Sequence, residues 1–185
     1  MFSLIKILSI DGGGIRGIIP ALVLYEIEKR TGQPIAKLFD LIAGTSTGGI
    51  LALGLVKPNK NGTPQYSAKN LEELYENEGK TIFSSTICHK IKSLDGLLDE
   101  KYPSSRIESV LKKYFGDTHL SEALTNIIVP SYEIEQRTPW FFKSFNAKDT
   151  NKKNEDFLMR QVARATSAAP TYFEPCKINI HSRAK

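Results

Sequence analysis

Apolar positions along this chain switch repeatedly between strand-like and helix-like spacing. Residues 5–10 alternate toward a strand, and residues 18–30 place apolar side chains on one helical face, with Gly32 as the helix stop. The same criteria predict helices over residues 67–77, 105–115 and 155–167 and strands over residues 41–43, 126–135 and 140–146. Strands that alternate with helices favour the α/β class, with a mostly parallel central sheet inside a three-layer sandwich.

A serine flanked by glycines follows the predicted strand over residues 41–43. Gly44, Ser46 and Gly48 form a Gly-x-Ser-x-Gly string between two apolar runs. On a sharp strand-to-helix turn, a Cβ atom at either glycine would collide with neighbouring backbone, and the turn exposes the serine hydroxyl. The string also occurs in ordinary loops, but its place between a strand and an apolar helix predicts Ser46 as the nucleophile of an acyl-transfer enzyme.

A second glycine-rich turn ends the predicted strand over residues 5–10. Gly12, Gly13 and Gly14 follow one another there, shortly before the next predicted helix. Backbone N–H groups in such a loop, beside a helix N-terminus, converge on one spot and bind negative charge. Acyl transfer needs this arrangement for the oxyanion of its tetrahedral intermediate, so the three glycines are predicted to form an oxyanion hole.

The same loop also satisfies the Gly-x-Gly-x-x-Gly pattern of dinucleotide-binding proteins, at Gly12, Gly14 and Gly17. That fold requires an acidic residue at the end of the second strand, roughly 20 residues further on. Here Asp40 precedes the second strand, and neither glycine loop continues into the Lys-Ser/Thr of a phosphate-binding P-loop. The spacing therefore favours an oxyanion over a pyrophosphate, with a nucleotide site as the competing interpretation.

The two glycine loops, taken in order, resemble the paired signature of patatin-like phospholipases. Residues 11–17 read Asp-Gly-Gly-Gly-Ile-Arg-Gly, and residues 44–48 read Gly-Thr-Ser-Thr-Gly. A third block over residues 163–173 is similar to the family's Ala/Ser-rich helix and Pro-Thr-Tyr-Phe turn, and shorter similar segments lie at residues 114–117 and 142–146. The resemblance implies a patatin-like α/β fold and a lipid acyl hydrolase of phospholipase A or lysophospholipase type, with a serine–aspartate dyad.

The sequence departs from the family pattern in its aspartate. The resemblance places that residue in an Asp-Gly-Gly or Asp-Gly-Ala segment after the third block, but no aspartate follows Phe173. Asp95 and Gly96 precede that block and are interpreted as a loop. We therefore expect residues 1–185 to form a single patatin-like domain that is C-terminally incomplete, or a variant without its base. Because a general base contributes on the order of 10² to 10⁴ in rate, we expect poor ester hydrolysis.

A histidine is the alternative base, as in hydrolases whose triad is ordered serine, acid, histidine. His181 follows Asp149 and Asp156 and so fits that order, although its surroundings read as a tail. His89 and His119 lie in polar or mixed segments that favour exposed side chains. The substitution His181→Ala distinguishes the two bases, because it leaves activity unchanged if the dyad interpretation is right.

Composition narrows the class of protein. The chain has 185 residues, of which 41% are hydrophobic and 24% charged, as is typical of one globular domain. No apolar stretch approaches the roughly 20 residues needed to cross a bilayer, and the first ten residues lack signal-peptide features. Cys88 and Cys176 are too few for a disulfide framework or a metal site, so we expect reduced thiols, a cytoplasmic location and neither metal nor cofactor.

A net charge of +5 and a pI of about 9.1 favour an anionic partner. For a lipid hydrolase, we expect a phospholipid substrate and peripheral contact with an acidic membrane surface. Nucleic acid is not expected, because the basic residues are dispersed and the densest group, Lys148, Lys152 and Lys153, lies in a polar loop. Arg16 either contacts a substrate phosphate or pairs with a local carboxylate. The missing aspartate also leaves a lipid-binding or interaction module as an alternative to an enzyme.

Overall fold

The structure is a computed structural model that describes residues 4–83, 104–170 and 172–178. Four strands form one sheet in the order β1-β2-β3-β4, namely β1 (Ile7–Ile10), β2 (Leu41–Gly44), β3 (Asn126–Glu133) and β4 (Thr138–Lys143). The first three strands are parallel, and β4 runs antiparallel to β3. The α/β class and the mostly parallel sheet expected from the sequence are confirmed.

Helices make up most of the rest of the described chain. They are α1 (Ile18–Thr31), α2 (Ile35–Leu38), α3 (Thr47–Val56), α4 (Ala68–Phe83), α5 (Ser104–Phe115), α6 (Ser144–Ala147) and α7 (Met159–Thr166), and short 3₁₀ turns span Gly14–Gly17, Leu120–Glu122 and Thr150–Glu155. Gly32 ends α1 in the left-handed conformation with φ 64°, as the sequence predicted. None of the described helices combines the length and apolar composition that crossing a bilayer requires.

Some element ends differ from the predictions because tertiary contacts decide them. α4 continues beyond residue 77, and its apolar stripe extends to the buried Ile82. β4 ends early because Ser144 turns its hydroxyl to the amide of Ile127 and begins α6. α7 begins late because Leu158 is held extended in an antiparallel bridge with His119. None of these contacts between distant segments has a signature in local spacing.

α3 is the central helix of the core. All ten of its residues are buried, and it packs against β1, β2, β3, α4 and α7. A helix that is apolar on every side needs burial on every side, and the surrounding elements provide it. The polar loop over residues 57–67 follows the C-terminal end of α3, about 15 Å along the helix from the turn that precedes it. The N-terminus of α3 lies at the carboxyl end of β2, so the core fixes this turn.

The two faces of the sheet differ in burial. Ile42 and Val129 on one face are fully buried, and α3 approaches this face closely at Gly49. On the other face, Ile7 and Phe141 are 59% and 47% exposed. Because parallel sheets ordinarily have both faces covered, this second face is an unusually exposed apolar surface.

Candidate active site

Ser46 lies on the turn between β2 and α3. Its backbone has φ 52° and ψ −123°, a conformation with positive φ that few residues other than glycine adopt. Strain of this kind costs on the order of 1–3 kcal/mol and persists only where surrounding contacts hold it. The Ser46 carbonyl accepts a hydrogen bond from the Ile50 amide at 3.0 Å, which starts the first turn of α3. The partly buried serine therefore sits on a sharp strand-to-helix turn.

At Gly44 and Gly48, which flank Ser46, the backbone lies very close to neighbouring backbone. A Cβ atom at Gly44 would lie 2.3 Å from the carbonyl oxygen of Gly48, and one at Gly48 would lie 2.2 Å from that of Ile10. Both distances are far below any ordinary contact between carbon and oxygen. The turn thus tolerates no side chain at either position, which is the steric reason for the Gly-x-Ser-x-Gly spacing.

The glycine loop after β1 lies directly beside Ser46. β1 and β2 are parallel neighbours, so their carboxyl ends meet at the same edge of the sheet. A Cβ atom at Gly12 would lie 2.9 Å from the Cβ atom of Ser46. The structure therefore brings the predicted nucleophile and the predicted oxyanion loop together.

The loop amides in this structure donate to the threonines on either side of Ser46. The Gly12 amide donates to Thr45 Oγ1 at 3.1 Å, and the Gly13 amide donates to Thr47 Oγ1 at 3.1 Å. Gly14 has a positive φ of 59° and begins the 3₁₀ turn that leads into α1. An oxyanion that binds to Gly12 or Gly13 must therefore take the place of a threonine hydroxyl.

Tyr75 on α4 contacts both the residue after Ser46 and the end of the glycine loop. Its buried hydroxyl donates a hydrogen bond to the Thr47 carbonyl at 2.7 Å. A Cβ atom at Gly17 would lie 3.0 Å from the Tyr75 ring and 3.1 Å from Thr47 Cβ, so the end of the glycine loop packs tightly on both. Burial raises the pKa of the Tyr75 phenol, which keeps its hydrogen available as a donor.

The Arg16 side chain forms a hydrogen bond within its own glycine loop. Its Nε donates to the Gly13 carbonyl at 3.3 Å, and its side chain is otherwise exposed. Within the described part of the chain, Arg16 forms no ion pair with a carboxylate. Of the two interpretations of Arg16, the structure therefore does not favour pairing with a local carboxylate.

The proton acceptor of Ser46 is not found among the described residues. No carboxylate or imidazole there hydrogen-bonds to the Ser46 hydroxyl, and the Ser46 amide donates to Thr166 Oγ1 at 2.9 Å. His119 lies 3.5 Å from an oxygen of Asp156 in a separate contact beside α7. The candidates His89, Asp95 and His181 lie outside the described residues, so the triad interpretation of His181 stays a prediction.

The remaining candidates for metal or thiol chemistry are few. Within residues 4–83, 104–170 and 172–178, no group of three His, Cys, Asp or Glu side chains is placed to hold a metal ion. Cys176 is a free, partly buried thiol, and burial raises its pKa. Cys88 lies outside the described residues. The described thiol is therefore less ionised than an exposed cysteine.

Sequence reasoning missed four residues that build the site, namely Thr45, Thr47, Tyr75 and Thr166. Each acts through a hydrogen bond to the backbone of a segment far away in sequence. Thr45 and Thr47 lie inside the glycine-flanked string, and Thr166 lies inside the third block, so the motifs marked their positions without revealing their partners.

A parallel α/β sheet with a glycine-flanked serine at the end of a central strand is typical of acyl hydrolases. Comparison with known families identifies the group more closely, because a family model for patatin-like phospholipase matches residues 8–181. The chain belongs to the patatin-like phospholipase family. The resemblance stated from its motifs is confirmed.

Curated relatives agree with this assignment. Patatin-like protein 2 from Arabidopsis thaliana is 39% identical over 182 residues, which cover 92% of this chain and 44% of that protein. Patatin-17 from Solanum cardiophyllum is 35% identical, covering 93% of this chain and 44% of that protein. Probable inactive patatin-3-Kuras 1 from Solanum tuberosum is also 35% identical, covering 93% and 46%. The chain thus spans less than half the length of these relatives.

Among solved structures, the crystal structure of the type III effector protein ExoU is similar to this chain with a TM-score of 0.47 and 17% sequence identity. The alignment covers 90% of this chain and 40% of that one.

Proposed function

We propose that this chain carries the nucleophile half of a serine lipid acyl hydrolase of phospholipase A or lysophospholipase type, with Ser46 as the nucleophile. The observation that carries the proposal is the strained backbone of Ser46 beside the glycine loop, with Gly12 almost in contact with it. Backbone strain of this kind is costly and is found most often at functional sites, where the surrounding contacts hold it. Membership of the patatin-like phospholipase family supports lipid esters as the substrate class.

In the proposed reaction, the Ser46 oxygen attacks the carbonyl carbon of a lipid ester, and its proton passes to a general base. The developing oxyanion accepts hydrogen bonds from amides of the glycine loop, Gly12 to Gly14, at the N-terminal side of α3. The ester bond then breaks, the alcohol leaves with a proton, and water releases the acyl group from Ser46. Because Gly12 and Gly13 donate to Thr45 and Thr47 in this structure, substrate binding is proposed to redirect these amides.

The base is the part of the mechanism that the described residues do not supply. We propose that it is an aspartate, as the resemblance implies, and that the 185-residue chain is slow without it. A missing general base reduces turnover by about 10² to 10⁴. Hydrolysis of a soluble p-nitrophenyl ester at the rate of an ordinary serine esterase, abolished by Ser46→Ala, would contradict this part of the proposal.

Labelling with a fluorophosphonate probe tests the nucleophile directly, because the probe reacts with an activated serine and needs no lipid. Because the general base is lacking, the wild-type chain is expected to be labelled slowly. Ser46→Ala is expected to lose the label, and Ser109→Ala, at an exposed position of α5, should be labelled at the wild-type rate. Equal labelling of Ser46→Ala and wild type would refute the assignment.

Arg16 and the net positive charge of the chain are proposed to favour anionic lipid. Arg16 has exposed guanidinium N–H groups near the glycine loop, and its Nε is already fixed on Gly13. The Arg16→Gln variant is expected to lose preference for charged phospholipids over neutral esters while its stability is unchanged. Flotation with vesicles that contain anionic phospholipid tests the membrane contact, and failure to float even at low salt would remove it.

A lipid-binding or interaction module is the second candidate. It is favoured by one observation, namely that no described side chain is placed to accept the Ser46 proton. In that case the chain binds vesicles but is not labelled by fluorophosphonate. An unlabelled chain that floats with vesicles supports the module, whereas a labelled Ser46 supports the enzyme.

A further inference from the structure

Thr166 is the last residue of α7 and lies in the third sequence block, for which the motif comparison implies no chemical role. Its hydroxyl accepts a hydrogen bond from the Ser46 amide at 2.9 Å and donates one to the Pro130 carbonyl at 2.7 Å. A threonine hydroxyl has a single hydrogen to donate. The direction of both bonds is therefore fixed, since an amide only donates and a carbonyl only accepts.

This hydroxyl bridge stands at the point where the pairing of β2 with β3 stops. The last paired residues are Ala43 and Ile128, because after Gly44 the chain leaves the sheet and enters the turn that carries Ser46. β3 continues along β4, where Pro130 pairs with Phe141. The Ser46 N–H and the Pro130 C=O therefore meet no strand partner across this gap, and the Thr166 hydroxyl satisfies both.

The methyl group of Thr166 also packs against the first turn of α3. A Cβ atom at Gly49 would lie 2.9 Å from Thr166 Cγ2, so this methyl occupies the space that a side chain on the first turn of α3 would need. Hydroxyl and methyl thus hold the turn at Ser46 from one side, at its amide and at the helix that follows. The two hydrogen bonds of the Thr166 hydroxyl go to the Ser46 amide and the Pro130 carbonyl, and not to the Ser46 hydroxyl.

We propose that Thr166 is a positioning residue that holds Ser46 in its strained backbone conformation through the Ser46 amide, anchored to β3 at Pro130. This inference rests on the proposed function of Ser46 as nucleophile. Ser46 has φ 52°, and a residue in that region relaxes when the contacts around it are lost. With the amide released, the Ser46 backbone is no longer held in one conformation beside the glycine loop, and the reaction loses its alignment.

Three variants test the proposal by the rate of fluorophosphonate labelling. Thr166→Val keeps the shape but loses the hydroxyl, so labelling should slow on the order of tenfold, as expected for leaving buried polar groups unpaired. Thr166→Ser keeps the hydroxyl and loses only the methyl group, so it should label much faster than Thr166→Val and close to the wild-type rate. Ser131→Ala is the matched control, because Ser131 Oγ donates to the Ala165 carbonyl at 3.3 Å, linking the same two elements without contact to Ser46. It should label like wild type.

Hydrogen exchange of the Ser46 amide gives a readout that does not depend on reactivity. The wild-type amide should be protected, and Thr166→Val should exchange faster at Ser46 while the amides of α3 beyond its first turn stay unchanged. The proposal would be overturned if Thr166→Val is labelled as fast as wild type. It would also be overturned if Ser131→Ala slows labelling as much as Thr166→Val does. If Thr166→Val does not fold, an unprotected Ser46 amide in the wild-type chain overturns it.

The two proposals fail in different ways. A wild-type chain without label at Ser46 overturns the proposed nucleophile, and with it any catalytic meaning of Thr166. A labelled wild-type chain with unaltered kinetics in Thr166→Val leaves the nucleophile intact and removes only the positioning role.

Discussion

The hydroxyl of Tyr75 lies 2.7 Å from the carbonyl oxygen of Thr47, the residue that follows Ser46, and donates a hydrogen bond to it from α4. Tyr75→Phe removes this bond and little else. We expect the free energy of unfolding to fall by about 1 kcal/mol, and labelling of Ser46 to slow because Thr47 also holds the Gly13 amide. Urea denaturation and labelling kinetics measure the two effects.

Tyr66→Phe provides the control for this prediction. Tyr66 also donates its hydroxyl hydrogen to a backbone carbonyl, that of Tyr114 at 2.8 Å, but its bond links a loop to α5. Its loss should cost a similar or smaller free energy and leave labelling unchanged. If both variants slow labelling equally, the contact between Tyr75 and Thr47 has no special bearing on the site.

Gly44 and Gly48, the glycines that flank Ser46, should not tolerate any side chain. Gly48→Ala places a Cβ atom 2.2 Å from the Ile10 carbonyl oxygen, so backbone must move, and we expect a loss of about 3 kcal/mol or more. Gly32→Ala is the comparison, since Gly32 has φ 64° but no atom within 4 Å of its Cβ position. It should cost only about 1 kcal/mol, for the left-handed backbone. Thermal unfolding of both variants tests the ranking, which a milder Gly48→Ala would reverse.

Glu28 joins two helices through one carboxylate. Oε1 accepts from the Ile35 amide at 3.0 Å at the start of α2, and Oε2 accepts from the Ala68 amide at 2.7 Å at the start of α4. Glu28→Ala leaves both helix starts without this acceptor, so we expect stability to fall by about 1–2 kcal/mol. Glu26→Ala on the exposed side of α1 should be nearly neutral. Equal denaturation midpoints for the two variants would contradict this role.

The exposed face of the sheet should bind apolar probes. Ile7 and Phe141 are both about half exposed on this face, and contiguous apolar surface of this kind binds dyes or associates. We expect the folded chain to enhance the fluorescence of anilinonaphthalene sulfonate, and the double variant Ile7→Lys, Phe141→Lys to reduce it. Val23→Lys, at an exposed position of α1, is the control. If it reduces the fluorescence equally, the dye does not bind to this face of the sheet.

Cys176 should react slowly with alkylating reagents. Burial raises the pKa of its thiol, so the thiolate fraction at pH 8 is below that of an exposed cysteine. In a Cys88→Ser variant, the rate with iodoacetamide should be well below that of a small free thiol and should continue to rise above pH 9. A rate at pH 8 equal to that of the free thiol would show that burial does not raise the pKa of the Cys176 thiol.

Local spacing in the sequence was sufficient for the main elements. The positions of α1 and α5 follow from apolar periodicity, because such a helix buries one face, and Gly32 provides the left-handed stop of α1. The Gly-x-Ser-x-Gly spacing likewise implied a tight turn, since only an absent Cβ permits the approach of Gly44 to Gly48. These are short-range steric facts, and a sequence carries them directly.

What only the tertiary structure decided is which distant groups meet at that turn. The Ser46 amide finds its acceptor 120 positions away at Thr166, and the glycine loop is held by Thr45 and Thr47 across two parallel strands. The sequence determined that residues 12–14 and Ser46 each lie where a strand ends. The parallel pairing of β1 with β2 placed those ends side by side, because strands that run in one direction bring their carboxyl ends to one edge.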